Sequence, residues 1–567
     1  MDPASILQAQ VDELQNFVAQ VQTGQSSAQM SALDTGFPPL PPGGDDGTNG
    51  WLGGGITFNG RTPGTNDLWL QILTMSPSNA TASLVIHPPW NVTNGVYDLL
   101  YCTNIAPPIS WQWLLRTDPG QTDLTAPNAA IAQGFYRLGP PNDLVATSSL
   151  GTNFWVVFFS VYDISGPNLS LYISSAVGAT GMVTVPGLGI TNAFSVAAGA
   201  VTKVDLDPSV MMVDYDVVET NGIHITASQP VSVYGVDYSA YTTCSFTGYP
   251  TTLLGTNYCV MARASQDNWP GDENTNSQFA IVATADNTTV TNTPSPTADL
   301  YGHTNAYTIN LQQGETYQIN STDMLGDVTG TRITSDKPLA VFAGAGCAWV
   351  PDANTDSGNP LVQEQLPVDT WGTQALALSF AVRTAGDTYR VLAGYSNTVV
   401  FTNGVAVGTI TNAGQFLDLL LDGPVEFQAS QPIQVAHFAN GIDFPEGSYV
   451  GDPCEILLPP AGHYLLTNIV FTLPNDHVTG DFYENSNYLN IIVPQSAIAN
   501  TLVDGSTVDA TNFVPIGTSG YYGAQISVTN AVDGATTHTV TSSQPVGVEV
   551  YGVGFYDAYG YFGGIVK

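Results

Sequence analysis

Basic side chains are scarce in this sequence. Its 567 residues include 10 Lys and Arg against 47 Asp and Glu, so the formal net charge at pH 7 is -37. Binding to nucleic acids and to anionic membranes depends on clustered cations, so this balance argues against both kinds of partner. Long hydrophobic runs are absent as well, since no stretch of about 18 apolar residues occurs. The sequence therefore predicts a chain that neither binds nucleic acid nor inserts into a membrane.

Two further absences concern export and redox chemistry. The first residues, MDPASILQAQVDELQNF, have neither the basic nor the apolar segment of a secretory signal. That start indicates a mature chain, a truncated chain or another export route. The cysteines form no C-x-x-C pair, which excludes a zinc ribbon and a thioredoxin-like site. Cys244 and Cys259 bracket a short segment that a disulfide would close into a hairpin-like loop, and buried thiols are the alternative.

Motifs of familiar catalytic chemistry are also missing. No two histidines are spaced i, i+4, and no H-E-x-x-H, G-x-S-x-G, S-x-x-K, Walker or dinucleotide-binding motif occurs. Acidic residues such as Asp272, Glu273 and Glu364 have no apolar sequence around them that would raise the pKa of one carboxyl beside an ionised partner. We therefore expect a protein that is not an enzyme and has no cofactor, with calcium as the one candidate ion.

Turn and strand residues are abundant. The chain has 57 Gly and 37 Pro, and 43% of its residues are hydrophobic, with Val, Tyr and Phe alternating along short segments. Alternation with a period of two, bounded by Gly, Pro and Asn, is typical of half-buried strands. The predicted fold class is therefore all-β, built of short antiparallel strands and many turns.

The first residues differ from the rest. An a/d pattern predicts an amphipathic helix over residues 1–33, carried by Leu7, Val11, Leu14, Val18 and Val21. A helix of this length is only marginally stable in isolation. Residues 5–33 are therefore expected either to self-associate or to dock on another surface. Residues 34–50, with the segment FPPLPPGGDDGTNG, are predicted to be a Pro/Gly linker.

Tryptophan is concentrated in residues 51–148, which hold five of the nine Trp residues. Short apolar runs separated by Pro, Asn and Gly predict a Trp-rich β module. Indole faces stack on the apolar faces of sugars, so Trp90, Trp111 and Trp113 are the candidate ligand-binding residues. Packing of these rings in a core is the alternative.

A repeated segment follows. ITASQPVSVYGV, ITSDKPLAVFAG, FQASQPIQVAHF and VTSSQPVGVEVY place Pro at positions 230, 338, 432 and 545. Ser or Asp near Pro predicts a tight turn, with Pro opening a second strand. Copies about 100 residues apart fit one antiparallel β-sandwich per repeat, and a β-propeller is the alternative. The predicted repeats are residues 149–255, 256–367, 368–459 and 460–567.

One loop has the spacing of a metal-binding segment. Asp352, Asn354 and Asp356 alternate oxygen ligands as positions 1, 3 and 5 of a calcium loop do. The closing Glu is misplaced, because position 12 is Gln363. Calcium binding here is therefore a hypothesis beside a plain Asx-rich solvated turn.

The repeated region resembles a known family. GTNFWVVF (151–158), GIHITASQPVSVYGVDY (222–238), DKPLAVFAGAGCAWVP (336–351) and GDTYRVLAGYSNTVVFTNG (386–404) resemble, in order, the amino-terminal domain of the IgG-Fc-binding protein family. The resemblance covers about residues 149–567 and implies extracellular binding or a matrix function. A second cysteine that the family typically has after the segment like GAGCAWVP is absent here, which puts the family's local disulfide in doubt.

A weaker resemblance concerns residues 95–139. They are similar to a module of exported proteins from planctomycete-like and verrucomicrobial bacteria, which implies a bacterial or bacteriophage source.

These observations favour a non-enzymatic adhesion or surface-assembly protein. It would be extracellular or on the cell surface, with a protein or a glycan of a cell surface or matrix as partner. One alternative is an oligomeric fibre or receptor-binding component of a phage or injection particle, placed on a virion surface. The other is a carbohydrate-binding protein that uses the Trp-rich module.

Overall fold

A computed structural model gives the fold of the protein. It describes residues 69–76, 81–87, 98–102, 112–116, 121–127, 135–139, 148–162, 166–239, 242–265, 275–355, 357–444, 450–464, 468–473, 486–528 and 537–567. The predicted helix over 1–33 and the linker over 34–50 lie outside these residues. The chain divides into two compact units, residues 1–144 and 145–567. Within the described residues no helix is long and apolar enough to span a bilayer.

The described strands of the first unit form two antiparallel sheets of three strands each. One sheet has the order β1-β2-β5 and the other β4-β3-β6. Leu84, Ile86 and Leu99 are buried in these strands. The strands are β1 (Trp69–Ser76), β2 (Thr81–His87), β3 (Asp98–Cys102), β4 (Gln112–Arg116), β5 (Asp123–Pro127) and β6 (Phe135–Gly139).

The second unit consists of antiparallel strands in repeating sets. The first set is β7 (Gly151–Val156), β8 (Asn168–Ser175), β9 (Ala179–Val185), β10 (Ile190–Val196), β11 (Ala200–Asp205), the short β12 (Val217–Glu219), β13 (Ile223–Tyr238) and β14 (Cys244–Gly248). The second is β15 (Gly255–Cys259), β16 (Ser277–Ala283), β17 (Thr288–Thr293), β18 (Tyr307–Leu311), β19 (Thr316–Asn320), β20 (Arg332–Trp349) and β21 (Gly358–Glu364).

Two further sets complete the chain. The third is β22 (Gly372–Ala377), β23 (Asp387–Ala393), β24 (Thr398–Thr402), β25 (Val405–Ile410), β26 (Phe416–Leu421), β27 (Val425–Phe438) and β28 (Glu455–Leu458). The fourth is β29 (Asn468–Thr472), β30 (Asn487–Pro494), β31 (Leu502–Val503), β32 (Ser506–Thr507), β33 (Val514–Pro515), β34 (Tyr521–Val528), β35 (Thr537–Thr541), β36 (Gly547–Gly554) and β37 (Asp557–Phe562). Short 3-10 helices at Pro186–Leu188, Pro208–Val210, Val368–Thr370, Ala461–His463, Gln495–Asn500 and Ala510–Asn512 connect strands.

The first three sets share one strand order. It is β10-β9-β13-β8-β11 in the first, β18-β17-β20-β16-β19 in the second and β25-β24-β27-β23-β26 in the third. In each set, the long strand β13, β20 or β27 also pairs with the first and the last strand of its set. The prediction of an all-β fold of antiparallel repeats is confirmed.

The long strands explain the repeated Pro motif. The predicted tight turn is wrong in three copies, because β13, β20 and β27 continue through the Pro without interruption. In the first copy the pairing of β13 with β7 shifts register between Thr226 and Val231, which is the bulge expected where Pro removes an N–H donor. The first half of β13 pairs with β7 and β9, and its second half pairs with β8 and β14. Each long strand therefore joins the two layers of a sandwich.

In the three uninterrupted strands, the side chain two residues before the Pro accepts a backbone N–H of a neighbouring strand. Ser228 Oγ accepts the backbone N–H of Thr180 at 3.0 Å. Asp336 Oδ1 accepts that of Thr289 at 2.8 Å, and Ser430 Oγ accepts that of Val399 at 2.9 Å. Where the pairing is interrupted at the Pro, the backbone N–H of the neighbouring strand has no carbonyl opposite it. The side-chain oxygen of the Ser or Asp accepts that N–H instead. In the fourth copy the strand is broken into β35 and β36.

The cysteines do not close a hairpin. Cys244 lies in β14, which pairs with β13, whereas Cys259 lies in β15, which pairs with β20. The two residues thus belong to different repeats. Both carry buried thiols rather than a disulfide.

Candidate functional site

The four repeats close into a ring. The last strand of each set, which we call the closing strand, contacts its neighbours in turn: β14 contacts β21 and β37, and β28 contacts β21 and β37. The two ends of the unit also meet, because Ser149 N donates to Ile565 O at 2.8 Å. The structure thus combines the sandwich-like repeats with the closed circuit of a propeller.

The side-chain amides of two residues in β21 donate to main-chain carbonyls in, or just before, the other three closing strands. Asn359 Nδ2 lies 3.0, 3.0 and 2.9 Å from the carbonyl oxygens of Thr243, Pro453 and Ala558. Gln363 Nε2 lies 2.9, 2.6 and 3.2 Å from those of Ser245, Glu455 and Gly560. Both side chains are buried. These bonds fix the centre of the ring.

The segments between each long strand and its closing strand lie together at one end of this centre. We call this surface the loop face; its described residues are 239, 242–243, 350–355, 357, 439–444, 450–454 and 555–556. Val382 and Arg383, from the segment between β22 and β23, are counted with it because Arg383 donates to Asn440 O at 2.8 Å. Gly441 N donates to Val350 O at 2.7 Å, and Gly451 N donates to Gly554 O at 2.5 Å. Thr243 donates through its N–H and its hydroxyl to Asp557, at 2.9 and 2.7 Å. Each segment is therefore held by a neighbouring repeat.

Buried carboxyl groups lie beneath the loop face. Burial, reinforced by Asp557, raises the pKa of Asp452 well above its ordinary value, although Ser357 and Arg383 oppose the shift. Burial raises the pKa of Glu455 to about 8, against the opposing effect of Arg390 and Arg263. At the other end of β21, burial also raises the pKa of Glu364 well above its ordinary value, against the opposing effect of the hydrogen bond from Tyr249 N. Burial therefore favours the neutral form of these carboxyl groups, and none of them is exposed at the surface.

Strained backbone and exposed apolar side chains coincide at the loop face. Val382, Asp443 and Tyr556 have φ values of 59°, 65° and 55°, in the left-handed region that β-branched and bulky residues rarely adopt. Val382 is 58% exposed, Phe555 50% and Val450 42%. Such strain persists only where surrounding contacts impose it, and it clusters at functional sites.

The three exposed side chains belong to one surface. The bond between Gly451 and Gly554 brings Val450 beside Phe555. The guanidinium of Arg383, next to Val382, packs on Gly451 and donates to Asn440 O at 2.8 Å. We call Val382, Val450 and Phe555 the loop-face patch.

The calcium hypothesis concerns the same surface. Asp352 Oδ1 accepts hydrogen bonds from the backbone N–H and the side-chain amide of Asn354, at 2.8 and 2.9 Å. This arrangement is an Asx turn. Asp356 lies outside the described residues, and within those residues no group of three or more His, Cys, Asp or Glu is placed to hold a metal ion. Calcium binding at Asp352, Asn354 and Asp356 stays a prediction.

The other candidate residues belong to the first unit. Trp90 and Trp111 lie outside the described residues, and Trp113 is placed only as a backbone position in β4. The carbohydrate-binding and self-association hypotheses therefore stay predictions. Sequence reasoning missed the loop-face patch, because only the folded chain shows which Val and Phe residues are exposed.

Comparison with known proteins gives one family. The family model described as "IgGFc binding protein" matches residues 244–552, more than half of the chain. The human IgGFc-binding protein is 26% identical over 270 residues, which are 46% of this chain and 4% of the human protein. The chain thus spans a small fraction of that relative's length.

Among the solved structures that match this chain is a tetra-tandem repeat from the extending region of a large adhesion protein. It is 11% identical, with coverage of 69% of this chain and 98% of that chain and a TM-score of 0.10. A TM-score this low does not show a shared fold.

Proposed function

Because the chain belongs to the IgGFc-binding protein family, we propose that it is a non-enzymatic, extracellular binding protein whose partner docks on the loop face. The single observation that carries the proposal is the convergence there of strained residues and exposed apolar side chains from different repeats. Apolar anchors at the centre of a surface, held rigidly from below, are what a protein interface requires.

The partner class follows from the family and from the patch. The loop-face patch is apolar, and its supporting carboxyl groups are buried, so recognition there depends on shape and apolar contact more than on charge. The Fc region of IgG is the first partner to test, because the family takes its name from it. Adhesion to a cell surface or matrix is the wider role in which we place this binding.

The experiment is a binding measurement with immobilised human IgG Fc as the probe. We expect saturable binding by the full chain and a loss of at least about tenfold in affinity for Val382→Asp and Phe555→Asp. Val177→Asp is the matched control, because Val177 is 67% exposed in the turn between β8 and β9. It should bind as the unchanged chain does.

Two results would count against the proposal. Absence of saturable Fc binding by the unchanged chain would remove IgG as the partner. Equal affinities for the two loop-face variants and the control would remove the loop face as the binding surface. A bacterial or bacteriophage source and a place on a virion also stay predictions.

A further inference from the structure

A second exposed apolar surface surrounds the short strand β12. Val213 is 64% exposed, Val217 48% and Val218 42%, and Leu188 and Tyr301 are also exposed. These residues are brought together by local contacts. Val213 N donates to Glu219 Oε1 at 3.4 Å, and Gly187, next to Leu188, packs on Thr220. We call these five exposed residues the β12 surface.

β12 is also a strand edge. It belongs in sequence to the first repeat but pairs with β19 of the second, and it is the outermost strand of that eight-stranded sheet. In the part of the chain that the structure describes, no strand pairs with its other side. The pairing of β12 with β19 is itself the addition of a strand from one repeat to the sheet of another, and it leaves the outer side of β12 as the edge of that sheet.

Natural proteins protect such edges with Lys, Pro or a bulge, because an open edge recruits other chains. The segment from Val213 to Glu219 contains neither Lys nor Pro. Its side chains are apolar or acidic instead. β12 is a short edge with carboxyl groups beside it, which repel copies of this acidic chain. Its exposed Val side chains stay open to a partner segment of opposite charge.

The rim of the β12 surface is acidic and held in place. Asp216 has a φ of 58° and accepts a hydrogen bond from Tyr317 OH at 2.6 Å. His303 Nε2 lies 3.1 Å from Asp216 Oδ2. Asp214 and Glu219 add two further carboxyl groups to the same segment, and the chain as a whole carries a net charge of -37. A partner that docks here gains from opposite charge, whereas a second copy of this chain brings like charge.

From these observations we propose that the β12 surface binds an extended, basic segment of a partner protein by strand addition. Main-chain hydrogen bonds along β12 provide affinity, as in other edge-strand recognition. Alternate side chains of the segment contact Val217 and Val218, and its Lys or Arg residues face the exposed residues Asp214 and Asp216. This surface is separate from the loop face, so the inference does not depend on the proposed function.

The test uses the full chain and a fluorescein-labelled peptide, KVTVKVTVKG, with EVTVEVTVEG as the acidic counterpart. We expect saturable binding of the basic peptide at or below about 1 mM, at least about tenfold tighter than the acidic one and weakened by salt. Hydrogen exchange of the amides over residues 213–219 should slow when the basic peptide is bound.

Variants separate this surface from others. The double variant Val217→Lys, Val218→Lys places two Lys residues on the edge strand, where Lys opposes pairing with another chain. It should reduce the affinity for the basic peptide at least about tenfold. Asp214→Asn should weaken binding less and reduce its salt dependence. The matched controls are Val177→Lys on another turn and Phe555→Asp on the loop face, and both should bind the peptide as the unchanged chain does.

Several results would overturn the inference. These are no saturable binding of the basic peptide, equal binding of the acidic peptide, or unchanged binding by the Lys double variant. A chain that dimerises by light scattering, and becomes monomeric in the Lys double variant, would show that a second copy is the occupant instead. Because Phe555→Asp tests the loop face separately, failure here and failure of the proposed function are distinguishable.

Discussion

His437 Nε2 lies 3.1 Å from Asp387 Oδ2, and both side chains are fully buried. Glu549, from the fourth repeat, lies 3.6 Å from the other ring nitrogen, and Phe380 and Tyr389 stack on the imidazole at 3.9 and 4.5 Å between ring centroids. Burial alone would lower the pKa of His437. Glu549 and Asp387 outweigh burial and raise this pKa to about 9.

The raised pKa of His437 makes the free energy of unfolding depend on pH. An unfolded His titrates near 6.5, so the raised folded pKa stabilises the protein fully below about pH 6.5. That contribution, about 3 kcal/mol at most, should be lost as pH rises through about 9. Urea unfolding at about pH 6 and pH 9.5 measures it. His437→Gln should be less stable at the lower pH and show a flatter pH dependence, and an unchanged slope in that variant would refute the role of His437.

A second prediction concerns Arg390, which joins the second and third repeats. Its guanidinium lies 2.6 Å from Asp327 and 2.8 Å from Asp418, and the Arg390 side chain is only 4% exposed. Removing one member of a buried ion pair leaves an uncompensated charge, so Arg390→Met should cost about 3–5 kcal/mol in the free energy of unfolding.

Lys203→Met is the matched control for Arg390→Met, because Lys203 forms an exposed pair with Asp205 at 2.8 Å. It should cost less than about 1 kcal/mol. Similar losses in the two variants would mean that the buried pair does not stabilise the junction between the repeats.

A third prediction uses two glycines with similar backbone geometry. Gly330 has a φ of 90°, and an added Cβ would lie 2.2 Å from the carbonyl oxygen of Gly414 in the next repeat. Gly302 has a φ of 80°, with no atom within 4 Å of such a Cβ. Gly302→Ala measures backbone strain alone, about 1–2 kcal/mol.

In Gly330→Ala the new Cβ also clashes with the backbone of Gly414. Gly330→Ala should therefore lower the free energy of unfolding clearly more than Gly302→Ala does, measured by thermal or urea unfolding. If the two glycine variants unfold alike, the close approach of Gly330 to Gly414 is not a constraint on the junction.

The repeats could be recognised in the sequence because each one carries its own signal. Pro230, Pro338 and Pro432 lie at the same place in β13, β20 and β27. The local pattern nevertheless gave the wrong conformation. A Ser or Asp near Pro is typical of a turn, and only the partner strand, whose N–H the side chain accepts, shows that the strand bends and continues.

The ring and its surfaces could not be predicted, because the contacts that form them are distant in sequence. Asn359 binds carbonyls of Thr243 and Ala558, which belong to other repeats. The left-handed conformation of Val382 has no local signal either, since Val disfavours it. The exposure of Phe555 at the end of a hairpin depends on the same assembly.

The closure of the ring leads to the last prediction. Asn359 Nδ2 donates toward carbonyls of the first, third and fourth repeats, and the side chain is fully buried. In Asn359→Asp the amide donor is lost, and a carboxylate would face three carbonyl oxygens. Burial and these oxygens disfavour the charged form, so we expect a cost of several kcal/mol, at least about 3.

Because Asn359 connects four repeats, its replacement should also reduce cooperativity. Limited proteolysis of the unchanged chain should leave residues from about 148 to 567 as one resistant fragment, whereas Asn359→Asp should release single repeats of about 100 residues. Asn310→Asp is the control, because Asn310 Oδ1 accepts an exposed hydrogen bond from Thr289 Oγ1 at 3.1 Å, and an Asp there keeps that acceptor. If Asn359→Asp remains as stable and as resistant as Asn310→Asp, the closing strands hold the ring without the Asn359 amide.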